Sequence, residues 1–410
     1  MGPSNGAPRW AACLSLLVAC AALPACGPEA PPPNNPSRQR IRPDNLPVLP
    51  PEFVTAPPPA STPPPATTAP PPEPTPEPIP PPTPPPRLAR GADTPADKAL
   101  AEGDAAFAKN DFAAAETAYK KAAQLAPKDP APIVGLVRAR LGKASVPEGF
   151  ASAPDDKTAK TAAADLKKAV ALDASFAPAQ IELARVTLIL GDAPGALAAA
   201  KKGSELAPKD PEAWSALGVA ELATGEVEKA ESSLRRAAEL GPGDFGRQLN
   251  YATVLLSAKK VKEAQAAFEK AIRIAPGDAR AENGLGTALL MLGDPAKAIP
   301  HLDKAVSLDP EGASYKQNLG YAWSLQGDLP KAVTLYRQAV EKNPKLASAW
   351  INLGNALAAQ EKFPEACDAY AKVHALDPED PRLKDALLEV DELAKKKGLP
   401  GAGCKVAPKK

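Results

Sequence analysis

The chain has 410 residues, more than one domain usually holds, and more than half of its 52 prolines precede Leu88, so the packed part starts late. Its 49 Lys and Arg residues stand against 48 Asp and Glu, with the signs interleaved along helical stretches, which excludes the basic field that nucleic-acid binding needs. From about Thr94 onward Ala, Leu, Lys and Glu dominate and no β-branched run alternates, which predicts an all-α fold.

The first element in chain order is an export address. Arg9 precedes an apolar run from Trp10 to Leu23, followed by Leu23-Pro24-Ala25-Cys26, the plan of a secretory signal over residues 1–25. The run is too short for a comfortable membrane span. A cysteine directly after the small residue resembles the bacterial lipobox, which implies diacylation of Cys26 and makes it the first residue of the mature protein. Leu17-Val18-Ala19-Cys20 fits the same short pattern but leaves a stubby apolar region. Several acyl chains together anchor firmly, whereas one binds marginally. Gly27 rather than Asp follows the lipidated cysteine, and the resemblance then implies the outer membrane, facing the periplasm.

Residues 28–87 are mainly Pro, Ala, Thr and Glu, too poor in apolar side chains to build a core. Together with Cys26 they predict a disordered linker over 26–93 with polyproline II character. At about 3.1 Å per residue such an arm spans on the order of 150 to 190 Å when extended.

Beyond it, Pro208, Pro242, Pro276, Pro310, Pro344 and Pro378 follow one another every 34 residues. The same spacing carries small residues through Ala196, Ala230, Ala264, Ala298, Ala332 and Ala366, and bulky ones through Leu234, Phe268, Leu302, Tyr336 and Tyr370. In a stacked helical hairpin small residues permit close crossing, bulky ones fill the space between helices, and proline stops the second helix. Trp350, Leu353, Gly354, Ala366, Tyr370 and Pro378 together resemble the tetratricopeptide repeat nearly in full.

That resemblance implies a right-handed superhelical solenoid of about eight helix-turn-helix repeats over residues 94–398. The second repeat, 130–176, is about thirteen residues too long, and the surplus fits an insertion at 144–156, where Phe150 offers an exposed aromatic. Leu383, Ala386, Leu387 and Val390 recur at helical spacing after Pro381 and predict a cap helix over 381–397. Residues 399–410 read as a basic flexible tail.

The resemblance also implies that each repeat's first helix lines a concave groove. Position six of the repeat holds Asn250, Asn318 and Asn352, with Asn283 and Asn355 close by. An amide both donates and accepts, and so holds the backbone of an extended peptide; these asparagines are similar to the ladder of O-linked N-acetylglucosamine transferases. Arg280 at position two adds a contact for a carboxylate. The carboxylate clamp of chaperone-tail binders needs lysine at position five, where Asn283, Gln317 and Ile351 stand, so that mode is not expected.

Only His301 and His374 are present. Neither lies near a second histidine or a cysteine, so no metal site is expected, and both read as exposed helix residues. No phosphate loop or nucleophile elbow occurs, and the acidic residues read as solvated faces or repeat turns. Neither enzymatic activity nor a cofactor or small-molecule substrate is expected. Cys367 and Cys404 are candidates for a disulfide in an exported protein. The resulting expectation is an envelope lipoprotein that binds partner proteins or extended peptides and assists assembly of an envelope machine, or alternatively recruits a cell-wall enzyme.

Overall fold

The computed structural model describes residues 81, 87–146, 151–398 and 404. The expected signal, Cys26, most of the proline arm, Phe150 and most of the basic tail lie outside the described residues. Within them there are 17 helices and no strand. They divide into two compact units, one ending at Pro276 and the other beginning at Gly277.

The first unit holds five hairpins. α1 (Pro95–Ala108) pairs with α2 (Phe112–Leu125), and α3 (Ala131–Ala144) with α4 (Lys157–Leu172). α5 (Ala177–Ile189) and α6 (Ala193–Leu206) follow, then α7 (Pro211–Ala223) and α8 (Val227–Leu240), then α9 (Phe245–Ser257) and α10 (Val261–Ile274). The second unit holds three more: α11 (Ala279–Met291) with α12 (Pro295–Leu308), α13 (Ala313–Leu325) with α14 (Leu329–Lys342), and α15 (Ala347–Ala359) with α16 (Phe363–Leu376). A lone helix, α17 (Pro381–Lys396), packs on α15 and α16. Eight hairpins and a closing helix agree with the repeat count read from the sequence.

Nine of the 17 described helices start where an aspartate side chain satisfies an orphan backbone N–H group. Asp111, Asp156, Asp192, Asp294 and Asp328 each accept from the N–H three residues on, at the head of a second helix. Four of the eight hairpins turn through a left-handed glycine, at Gly191, Gly225, Gly293 and Gly327, but Asn110, Lys259 and Glu361 take φ near +60° at the same turn, a strained choice for a side-chain-bearing residue.

Both periodic lines of the sequence are buried. Ala230, Ala264, Ala298, Ala332 and Ala366 are inaccessible, and Leu234, Phe268, Leu302, Tyr336 and Tyr370 fill the space between the paired helices. The crossing is close: a Cβ on Gly354 would stand 2.3 Å from the Tyr370 ring. Inside each unit the first helix of a hairpin also touches the first helix of the next, α5 with α7 and α11 with α13 among them. Second helices make no comparable contact with one another, so the first helices form the inner side of each stack.

The long second repeat breaks between α3 and α4. Ser145 ends α3 in a left-handed conformation, and the far half of the break docks on α5, where Ala151 N–H and Ala153 N–H donate to the Leu188 and Ile189 carbonyls at 2.8 and 3.2 Å. The linker expected to run to residue 93 gives way to packed chain by Leu88, which is 1% exposed. An apolar side chain in a hydrophobic cluster with carboxylates beside it overrides proline-rich composition locally. No described helix is long and apolar enough to cross a membrane.

Candidate functional site

On the inner faces, side chains separated by about one repeat meet. In the first unit the meeting groups are charged. Arg138 of α3 donates through Nε to Glu182 Oε1 of α5 at 2.6 Å, and Arg185 donates to Oε2 at 2.8 Å. Burial pushes the Glu182 carboxyl up, but Arg185 and Arg138 outweigh it and hold the group below its ordinary value. Further along, Arg247 of α9 pairs with Glu212 of α7 at 2.5 Å and with Asp244 at 3.4 Å. Burial leaves Asp210 and Asp244 above the usual carboxylate range despite these cations.

In the second unit the corresponding groups are amides and hydroxyls. Asn318 Nδ2 of α13 donates to Asn283 Oδ1 of α11 at 2.8 Å and to Thr287 Oγ1 at 3.4 Å. Ser348 Oγ of α15 donates to Gln317 Oε1 of α13 at 2.7 Å. These bonds tie one first helix to the next without any charge.

The six asparagine and arginine positions singled out from the sequence therefore differ in what they have left to offer. Asn283 and Asn318 are joined to each other. Asn355 accepts from the Tyr370 hydroxyl at 2.8 Å, so its oxygen is engaged inside its own hairpin. Arg280 folds back on Asp278, with Nε at 2.9 Å from Oδ1 and Nη2 at 2.5 Å from Oδ2. Asn352 is half-buried and makes no side-chain hydrogen bond to any described residue. Asn250, in the first unit, is 2% exposed, and its Nδ2 has no partner among the described residues. Cys367 and Cys404 are joined by a disulfide with a Cα separation of 5.0 Å, and Cys404 packs against the core of the second unit.

Two expectations need correction. The acidic residues do not all lie on solvated faces: Glu182, Glu221 and Glu282 are buried, each beside a cation or a hydroxyl. Glu221 accepts from Ser233 Oγ at 2.7 Å. Nor is His301 a plain exposed residue, since its Nδ1 lies 2.8 Å from Glu282 Oε2, with Lys304 Nζ 2.5 Å from the other oxygen. A positional signal existed for two of these acids. Glu182 stands at repeat position six, where the asparagines stand, and Glu282 at position four, where Trp214 and Trp350 stand. Among the described residues no group of three His, Cys, Asp or Glu side chains stands close enough to hold a metal ion.

Models of the tetratricopeptide repeat match residues 181–245, 249–313 and 326–381, and a second such model matches 100–129, together more than half of the chain. No curated protein sequence matches it. Among solved structures, the APC/C hetero-tetramer Cut9-Hcn1 is similar at 16% identity over 73% of this chain and 57% of that one, with a TM-score of 0.56. The chain thus spans little more than half the length of that relative. PilF of Pseudomonas aeruginosa is similar at 20% identity over 53% of this chain and 98% of its own, TM-score 0.45. MamA of Desulfovibrio magneticus RS-1 is similar at 28% identity over 41% of this chain and 95% of its own, TM-score 0.38. The 34-residue period, the hairpins it produces and the repeat models matched over more than half of its length agree that the chain belongs to the tetratricopeptide-repeat family.

Proposed function

We propose that this protein is a non-catalytic interaction scaffold, held at a bacterial envelope membrane by lipid on Cys26, that takes an extended segment of a partner protein along its inner helices. Tetratricopeptide repeats are modules for binding proteins and peptides, which supplies the general part of this reading. The observation that carries the rest is the unspent hydrogen-bonding capacity of the inner face. Among the described residues Asn352 makes no side-chain hydrogen bond and Asn250 Nδ2 is buried and unsatisfied, and a buried unsatisfied donor costs about 1–3 kcal/mol. A peptide backbone reaching the half-buried Asn352 amide finds both a donor and an acceptor there, without its side chains being read. The anchor rests on Leu23-Pro24-Ala25-Cys26 at the end of an apolar run, and the proline arm behind it supplies reach. Gly27 rather than Asp after that cysteine supports an outer-membrane position facing the periplasm.

The groove reading is tested by replacing Asn250 and Asn352 with alanine and crosslinking the full-length protein to its partners in cells. Loss of a partner captured by the wild type supports it, whereas an unchanged set of partners overturns it. Recovery of a cell-wall enzyme would make the scaffold a recruiting factor, and recovery of channel or pilus components would make it an assembly factor. For the anchor, Cys26→Ala should abolish metabolic labelling with palmitate; label retained on that variant would move the anchor to Cys20.

A further inference from the structure

The last residues of the proline-rich region behave as a bound peptide. Leu88 is buried in the hydrophobic cluster that includes Leu100, Tyr119 and Val134. Its N–H and that of Ala89 both donate to Asp104 Oδ2, at 2.7 and 2.9 Å, while Oδ1 of the same carboxylate accepts from the Tyr119 hydroxyl at 2.8 Å. Arg90 N–H donates to Asp97 Oδ1 at 2.7 Å. Asp97 and Asp104 are two turns apart on one face of α1, so residues 88–90 run antiparallel to that helix. Gly91, at φ +76°, makes the reversal.

This face is the inner one. Asp104 stands at repeat position nine, as do Arg138 and Thr287, and those two side chains reach across to the next first helix. The Arg90 guanidinium completes the attachment: it makes a bidentate pair with Asp129 at 2.7 and 2.9 Å and lies 5.3 Å from the centre of the Phe176 ring. Burial opposes ionisation of Asp129, but the bonds from Arg90 and from Ala131 N–H prevail and hold its carboxyl below the ordinary value.

Main-chain donors on a carboxylate, an apolar anchor in a pocket and a cation held by a carboxylate under a ring are together what a peptide-recognition site provides. We propose that the inner face of the first hairpin is a recognition site for an extended apolar–small–arginine peptide, and that Leu88-Ala89-Arg90 is its resident ligand, closing this end of the inner face to partners. The link to α1 is residues 91–94, so the effective concentration of the ligand is high and the site stays filled. Two consequences follow. The arm leaves from Leu88 rather than from the start of α1, and the inner face open to a partner begins beyond the first hairpin.

Hydrogen exchange on the full-length protein tests occupancy: the amides of Leu88, Ala89 and Arg90 should exchange at least ~100-fold more slowly than the same amides in a free peptide of residues 87–93. Exchange at the free-peptide rate overturns the proposal. Arg90→Glu, which leaves the Leu88 anchor in place, should speed exchange at these amides while α1 and α2 remain protected. If α1 and α2 open together with the segment, it is a structural cap and not a ligand. In the folded Leu88→Ser/Arg90→Ala double variant the emptied site should bind the 87–93 peptide at least ~10-fold more tightly than the wild type does. Equal binding to both, or binding to neither, counts against the site. No partner protein enters these measurements, so their outcome is independent of the scaffold reading.

Discussion

The inner faces of the two units solve one problem with different chemistry. Between α3 and α5 the first unit buries a carboxylate shared by two arginines, Glu182 with Arg138 and Arg185. Between α11 and α13, and between α13 and α15, the second unit uses Asn283 with Asn318 and Gln317 with Ser348. A buried ion pair pays heavily in desolvation, gains little net stability, and punishes the removal of one partner. An amide pair is cheaper on every count, and an amide keeps a second donor or acceptor for something else. Charge on an inner face therefore spends side chains on the protein itself, whereas amides leave some for a partner.

The largest expected effect in this comparison comes from Glu182→Ala, which removes the buried carboxylate that both arginines share. It should destabilise the first unit by about 3–5 kcal/mol, read by urea unfolding combined with hydrogen exchange resolved by unit. A loss below 1 kcal/mol would mean that water reaches this pair and that the contrast between the units is superficial.

Acidification should reproduce part of that loss. The folded-state carboxyl of Glu182 is held below its unfolded value, so its contribution is present above the unfolded pKa and is lost as pH falls through the folded one. Asp210 and Asp244 are raised and act in the opposite sense, since protonation relieves their burial, and they soften the decline. The neutral pairs of the second unit do not titrate, so exchange of the α13 amides should change less between pH 7 and pH 4 than exchange of those in α5.

Asn318→Ala, which removes the donor to Asn283 and Thr287, should cost about 0.5–1.5 kcal/mol. That cost should be insensitive to salt, in contrast to the first-unit variant. The smallest effects are the controls. Lys259→Gly in the first unit and Glu361→Gly in the second relieve the same left-handed turn, and each should stabilise its own unit by up to about 1 kcal/mol. Unequal gains measured by thermal unfolding would show that the units differ in more than their inner faces.

The fold was legible because its signal repeats. Ala230 and Leu234, Ala298 and Leu302, and Ala366 and Tyr370 occupy the same places in successive hairpins, and each pair is buried as its spacing requires. The candidate site was legible only in part. Asn355 looked like a groove residue, but Tyr370, fifteen residues on, takes its oxygen, as Tyr119 does with Asp104 in the first repeat. Glu182 looked like one more solvated acid because nothing beside it in the chain marks Arg138 as its neighbour. Leu88 looked like the tail of a proline-rich stretch because composition averages over the one apolar side chain that finds a pocket.

By itself the sequence determined the helical hairpins, their number and the residues that pack within each, since a repeat of this kind is governed by contacts inside itself and with its neighbours. Only the tertiary structure decided which polar groups are already spent. The partners that join one first helix to the next lie 31 to 44 residues apart, as with Thr287 and Asn318 or Arg138 and Glu182. A hydrogen bond's value depends on distances of a few tenths of an ångström and on exclusion of water, and no periodic pattern encodes either.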